Sequence, residues 1–520
     1  MSTGKVIARA TLVIIAMSIL SRLLGFGREV AIAHGFGATA ATDAYVLAFT
    51  IPYLFMGVVG GAMAATVVPV FTEYVTKGQR DEAWKLFSSV INVLGLALLA
   101  VIGLGILLAP YVINLMAPGF PTETEKLAVL LLQIMLPSVL FLVMGNVFMG
   151  LLNANNVFGP SAFGPGAMNL GIIFSALVLG KIYGIEGLAV GTVGGAALSA
   201  LIQVPFLYKV GFRWYPTLDL RHPGVRKLFS LMLPVLASIG FAQGYILIER
   251  MLASGLVEGS IAALNYAYKL LLLPQGLFVV AISMAIFPTL SRMVSEGKLE
   301  EMGQILAKGI RFIFLISIPA GVGLMILREP VIKLLFERGA FDETASHMTA
   351  VALFFYSIGL VGQSLSPLLI RGFYALQDVY TPLKITLAMV AVNVISALLL
   401  IGPLQHGGLA LANSIGMTFN MLMLVWLLQR RIPGIVDKSL IRFCSGTLAA
   451  AAVMALAVYG LDGFLAGLFK GGTLALAGRV AIDIIVGALV YFAVAFLLRL
   501  DELKMAMDLG KQMLNKVRGE

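Results

Sequence analysis

Two arginines stand where a charge is expensive. Arg22 and Arg28 interrupt the first apolar run of the chain, residues 10–34. A charged side chain at the centre of a bilayer costs roughly 2.5–3.5 kcal/mol on insertion scales. Arg22 lies on the order of 18 Å along that run at 1.5 Å per residue, too deep for easy snorkelling. Guanidinium forks match phosphate oxygens, and a lysine adds a point charge. Lys269 supplies one within another apolar stretch, just after Tyr266 and Tyr268. Taken together, Arg22, Arg28 and Lys269 would form a cationic cavity for an anionic, phosphorylated substrate. Charge balance favours this: Asp43 alone is set against the three, and Glu249 and Arg250 cancel each other. Local roles are the alternative. Arg28 could pair with a carboxylate such as Asp43, Lys269 could sit in an interfacial belt, and Glu249–Arg250 could be a structural ion pair.

Six residues of ideal helix turn through about 600°, so Arg22 and Arg28 would point about 120° apart. They converge if the helix bends or faces a wide cavity, and Gly25 and Gly27 lie between them to allow a bend. Covalent chemistry has no such support. His34, His222, His347 and His406 are scattered, and Cys444 is the single cysteine. Neither a metal-ligand spacing, a nucleophile elbow, a phosphate loop nor a catalytic carboxylate pair is visible. The expectation is a transporter rather than an enzyme, with neither metal nor organic cofactor.

The elements that hold these charges must be membrane helices. Apolar residues make up 60% of the chain and charged residues 12%, with a mean hydropathy of +0.98. A helix crosses the hydrocarbon core in about 20 apolar residues. Fourteen stretches meet that length: 10–34, 43–70, 86–110, 127–152, 163–182, 186–209, 228–253, 262–290, 310–328, 346–370, 383–402, 407–429, 442–460 and 478–499. Most of the 36 Lys and Arg fall in alternate loops and at both ends, which places both termini in the cytoplasm. Basic loops facing anionic lipid account for the net charge of +10, so nucleic acid is not an expected partner. The N-terminal run lacks a small-residue cleavage site and reads as the first span rather than a signal peptide.

Pieces of the first half recur in the second. Arg28…Gly37…Asp43 matches Arg250…Gly259…Asn265 at an offset of 222. The segment ending at Gly78 resembles the one ending at Gly297, with Pro69 matching Pro288. Val157–Pro160 matches Val379–Pro382, and Ser175…Gly187 matches Ser396…Gly408. Six spans separate equivalent points, so the two halves share one orientation, as in transporters whose lobes rock about a central path. The chain is therefore expected to be an all-α integral membrane protein of 14 transmembrane helices. Two pseudo-symmetric six-helix lobes, 1–222 and 223–432, would be followed by 433–520, holding two further helices and a cytoplasmic tail. Equivalent spans 2 and 8 are interrupted by Pro52 and Pro69 and by Pro274 and Pro288, candidate hinges near a binding site. Close packing of small residues is the other reading.

Several motifs in order are similar to the MurJ/MviN family: SRLLGFGRE (21–29), FGATAATDAY (36–45), VVPVF (67–71), LLNANNVFGPSAFGPGAMN (151–169), NYAYKLLLLPQGLF (265–278) and GFYALQDVYTP (372–382). The likeness runs from about residue 8 to 430. It implies membership of the multidrug/oligosaccharidyl-lipid/polysaccharide exporter superfamily. It further implies a flippase for lipid II, the undecaprenyl-diphosphate disaccharide-pentapeptide precursor of peptidoglycan, in the bacterial inner membrane. On this resemblance Ser21, Arg22, Arg28, Asp43 and Asn169 fall on substrate-binding positions. Lys269 stands where many members have arginine. Met56, Gly57 and Gly61 occupy places that are charged in many members. The implied partners are lipid II and membrane lipids, with the chain acting as a monomer. The driving force would be the membrane potential or a monovalent cation, Na+ or H+, with Glu249, Asn393 and Asn413 as a possible cation site. Rival functions are export of another polyprenyl-diphosphate-linked oligosaccharide or, further off, a membrane glycosyltransferase. The outer loops around 111–126 and 329–345 are short for the latter.

Overall fold

The structure is a computed structural model that describes residues 3–275, 280–469 and 471–500. Every regular element among them is a helix. In chain order these are α1 (Thr3–Phe36), α2 (Ala40–Phe55), α3 (Gly61–Thr76), α4 (Arg80–Met116), α5 (Thr122–Met135), α6 (Ser138–Ala154), α7 (Gly159–Phe174), α8 (Gly180–Leu201), α9 (Val204–Lys209) and α10 (Pro223–Ala253). They continue as α11 (Ser260–Pro274), α12 (Val280–Ser295), α13 (Leu299–Ile326), α14 (Arg328–Leu335), α15 (Glu343–Ile358), α16 (Leu360–Ala375), α17 (Tyr380–Gln429), α18 (Lys438–Leu468) and α19 (Thr473–Leu497).

Among the described residues, seven helices are long and apolar enough to cross a membrane, or nine if each of two bent pairs counts as one span. Two of the seven are double. Gly159–Lys209 and Tyr380–Gln429 run for 51 and 50 residues, about 75 Å each, more than twice a hydrocarbon core. Each is broken near its middle by a residue with positive φ, Gly184 at 63° and Gln405 at 51°. With α1, α10 and the α11–α12 pair, the element order is consistent with fourteen crossings.

The chain forms two compact units. One comprises Met1–Asn265 with Arg338–Ala345, the other Tyr266–Glu337 with Ser346–Glu520. In the first, α1 packs along α7, α2 along α5, and α3 between α6 and α10. In the second, α16 packs on α17 and α13, and the α18–α19 hairpin lies against α13. A core of Leu306, Ile310, Leu365, Leu368, Phe373, Leu424 and Leu428 joins α13, α16 and α17. These units are bodies of contact, whereas the repeat is a relation between sequences, and the two divisions need not coincide.

The repeat is written in the backbone. Positive φ occurs at Gly37 and Gly259, Gly78 and Gly297, Asn156 and Gln377, Gly184 and Gln405, and Gly211 and Gly434. Each pair is 219 to 223 residues apart. Five turns in the same order, each needing the left-handed region that ordinary residues avoid, are stronger evidence than the residue matches. At Gly37 and Gly259 a Cβ would also lie 2.3 Å from the Ala340 carbonyl oxygen and 2.2 Å from that of Ala38. Glycine is required at both for space as well as conformation.

Proline interrupts span 2 as expected. Pro52 has no N–H to donate, and past it the helix opens into a wider turn over Met56–Gly60 before α3 resumes. The Met56 N–H reaches both the Pro52 and Tyr53 carbonyls. Pro69, Pro274 and Pro288 lie inside α3, α11 and α12.

Candidate functional site

Arg28 is the centre of a network built where α1 meets α7. The helix is continuous through Gly25 and Gly27, and Gly25 serves close approach. A Cβ there would sit 3.2 Å from Asn169 Nδ2. Its absence lets Asn169 come down onto the α1 backbone, where Nδ2 donates to the Ser21 carbonyl at 3.2 Å. The other end of the same amide, Oδ1, accepts from Arg28 Nη1 at 3.2 Å. Arg28 Nη2 donates to the adjacent Glu29 carboxylate in an ion pair. The second Glu29 oxygen accepts from Asn265 Nδ2 at 3.3 Å. Ser21, Gly25, Arg28 and Asn169 are therefore brought together as one site.

The arrangement explains how Arg28 is tolerated. Its side chain is 16% exposed and that of Glu29 only 4%, so each charge meets the other instead of hydrocarbon. Among the described residues, buried Arg28 Nε has no hydrogen-bond partner. The guanidinium thus keeps donor capacity after its neighbours are satisfied, which suits a further acceptor such as a phosphate oxygen.

Arg22 differs. It is exposed, beside Ile19, Leu20 and Leu23 at 42%, 42% and 61% exposure. It has no hydrogen-bond or ion-pair partner among the described residues. A cation on an open apolar face can meet an incoming anion without first breaking an internal bond.

Asp43 has a different setting. It sits buried in the first turn of α2. Its Oδ2 accepts from the Gly259 N–H at 2.8 Å and its Oδ1 from the Ala262 N–H at 2.7 Å. Those donors open α11, so the carboxylate satisfies two of the N–H groups that every helix start leaves over, at the favourable end of its dipole. Both carboxylate oxygens are occupied. Equivalent residues of the repeat thus make reciprocal contacts: Asp43 holds the start of α11, and Asn265 reaches back to Glu29 near the end of α1.

Lys269 is half-buried on α11, in the second unit. Arg250, the repeat equivalent of Arg28, donates Nη1 to the Ile261 carbonyl at 3.3 Å. Glu249 belongs to the first unit, whereas Asn393 and Asn413 are buried on α17 in the second. A Cβ at Gly416 would lie 3.2 Å from Asn393 Cβ, so Asn393 packs where the two halves of α17 meet. No group of three or more His, Cys, Asp or Glu suited to a metal occurs among the described residues.

Two charged residues escaped sequence reasoning. Glu29 was hidden by its position next to Arg28, where a neighbouring opposite charge could have been read as partner rather than bystander. Arg371 directly follows the apolar stretch 346–370 and so reads as a loop cation. It lies instead in α16 on a cavity of about 490 Å3 lined also by Phe287, Pro367, Ile370 and Tyr374, with its buried Nη1 unpartnered among the described residues. A hydropathy profile alone does not separate such a residue from a loop cation.

A family model described as Lipid II flippase MurJ matches residues 32–478. The chain belongs to this family. Curated relatives agree. A lipid II flippase MurJ of Burkholderia cenocepacia is 33% identical over 458 residues, covering 86% of this chain and 88% of its own. A probable lipid II flippase MurJ of Vibrio cholerae serotype O1 is 31% identical over 98% of this chain and 99% of its own. A solved lipid II flippase MurJ in an inward closed conformation superposes with a TM-score of 0.80 at 27% identity, covering 94% of this chain and 99% of the other. A multidrug resistance MATE family transporter of the MOP superfamily, inward-facing, shares the fold with a TM-score of 0.68 at 16% identity, covering 82% and 98%. This MurJ family member is a multi-pass protein of the inner membrane and a transporter rather than a catalyst.

Proposed function

We propose that the chain moves lipid II from the cytoplasmic to the outer leaflet by alternating access. Its diphosphate would be received by exposed Arg22 and by Arg28. The observation that carries this reading is Arg28 itself: a buried guanidinium, neutralised by Glu29 and steadied by Asn169, that retains an unpartnered Nε. Glu29 keeps the arginine stable while the site is empty. A diphosphate offers more charge and more acceptors than Asn169, and takes over Arg28 donors at little cost. Lys269 adds positive charge on α11. Both termini lie in the cytoplasm, the chain acts as a monomer, and the drive is the membrane potential, about 2.3 kcal/mol per charge per 100 mV, or a bound monovalent cation, Na+ or H+.

The experiment is rescue of a bacterium depleted of its own flippase, scored by growth and by lipid II exposed at the outer leaflet. Wild type restores both, and normal rescue by Arg22→Ala and Arg28→Ala alike would overturn the cationic site. Orientation is checked by single-cysteine labelling in a Cys444→Ser background with an impermeant thiol reagent. Thr39→Cys and Val257→Cys should react from outside, and Gln79→Cys and Lys298→Cys should not. The glycines themselves are unsuitable, since a side chain at Gly37 or Gly259 meets backbone.

A further inference from the structure

The α18–α19 hairpin buries an acid that nothing among the described residues neutralises directly. Asp483 lies about 15 Å into α19 at 1.5 Å per residue, near the middle of a hydrocarbon core. The residue is 0% exposed, and among the described residues neither carboxylate oxygen receives a hydrogen bond from a donor. A second carboxylate, Asp462 of α18, is held to the same face of α19 by Arg479. Asp462 accepts in turn from Arg479 Nε at 2.6 Å, and Arg479 stands one turn before Asp483 on α19. The cluster holds two acids and one base.

We propose that Asp483 and Asp462, clamped by Arg479, form a proton-binding site in the accessory hairpin. One proton is shared by the pair. Asp483 holds it and donates to Asp462, whose remaining negative charge is met by Arg479. Losing that proton would leave two carboxylates against one guanidinium in a buried setting, which is strongly unfavourable. Asp462 and Arg479 are 21% and 20% exposed and form the route by which the proton exchanges with water.

Other charges do not explain the site. The helices packed on α19 carry Lys438, Arg442 and Asp462 on α18, Glu300, Glu301, Lys308 and Arg311 on α13, and Arg328, Glu329 and Lys333 on α14. Of these, Asp462 is held to the Asp483 face by Arg479 of α19 itself. Arg311 is engaged by Asp437 at 3.2 Å, and Arg328 donates to the Met325 carbonyl at 2.7 Å. On the reading that the chain is a transporter, the hairpin supplies a protonatable group through which a proton gradient can act on the cycle.

The test is infrared spectroscopy of the purified full chain in lipid nanodiscs, titrated from acid to alkaline pH. A protonated-carboxyl band should persist at neutral pH, fade on the alkaline side, and be missing from Asp483→Asn. Asp462→Asn, which removes the second negative charge and frees Arg479 to pair with Asp483, should move the fading to lower pH by about one unit or more. Absence of the band at neutral pH, or its survival in Asp483→Asn, overturns the proposal. Loss of the band on adding NaCl at fixed pH would make the site one for a metal cation and overturn it equally. The band reads the proton whether or not lipid II is carried, so failure of wild type to rescue growth would count against the transport reading alone.

Discussion

The α1–α7 junction and the α18–α19 hairpin both pack an arginine against acid inside the membrane, and they are left with opposite remainders. At the junction one arginine faces one glutamate, Arg28 with Glu29, and the unpartnered atom is a donor, Arg28 Nε. In the hairpin one arginine faces two aspartates, and the unpartnered atoms are the acceptors of Asp483. The first remainder suits an anion and the second a proton. An intramembrane charge is therefore better read by what is left after its neighbours are satisfied than by its own sign. Counting charges along the chain treats Arg28 and Arg479 alike. Counting leftover donors and acceptors separates them.

The largest effect should come from breaking the junction. Arg28→Ala leaves Glu29 buried and unpaired, at a cost of about 3–5 kcal/mol, and should abolish rescue partly through lost protein. The double variant Arg28→Ala/Glu29→Ala removes both charges. It should restore the amount of protein in the membrane, measured by immunoblot, while growth stays absent. Growth of the double variant would mean that Arg28 serves only to balance Glu29, and the contrast between donor and acceptor remainders would fail.

Arg22 sharpens the same point from the other side. Among the described residues it has no internal partner to abandon, so Arg22→Ala should leave thermal stability within about 0.5 kcal/mol and still abolish rescue. Lys269→Arg should support growth and Lys269→Glu should not. Equal growth of the two would remove Lys269 from the path.

Asp43 is an acid with no remainder, since both oxygens are filled by the start of α11. Asp43→Ala strands two buried N–H groups and should cost about 2 kcal/mol or more, read as a fall in the unfolding temperature in detergent. Asp43→Asn keeps one acceptor and should cost less. Lost rescue at unchanged stability would instead place Asp43 in the substrate path.

These contrasts mark what the residues disclosed by themselves. Helical spans, the repeat and the deep arginines follow from hydropathy and spacing, because burial in lipid constrains composition directly. The Ser21–Arg28–Asn169 association came from resemblance, since residues 141 apart reveal no contact by pattern. Glu29 stayed unseen because two residues adjacent on a helix do not ordinarily face each other. Asp483 is a single acid in a long apolar helix, visible to anyone counting charges. Its meaning depends on Asp462, which only the hairpin brings near.

A third pair, outside the membrane, tests whether saturation means silence. Asp378 in the turn between α16 and α17 accepts from the Tyr380 and Thr381 N–H groups at 3.0 and 2.9 Å, from the Thr381 hydroxyl at 2.6 Å and from Arg431 Nη1 at 2.5 Å. These donors, the Thr381 hydroxyl foremost, pull its carboxyl down to about 2. A depressed carboxylate stabilises the fold above its ordinary value near 4 and loses that contribution as pH falls through about 2. Asp378→Asn should therefore lower the unfolding temperature slightly at neutral pH, and its difference from wild type should shrink as pH is taken from 4 towards 2. Rescue should be unaffected, because neither donor nor acceptor is left over. If Asp378→Asn instead stopped growth at unchanged stability, a saturated ion pair would be functional. Leftover hydrogen-bonding capacity would then lose its value as a guide to Arg28 and Asp483 as well.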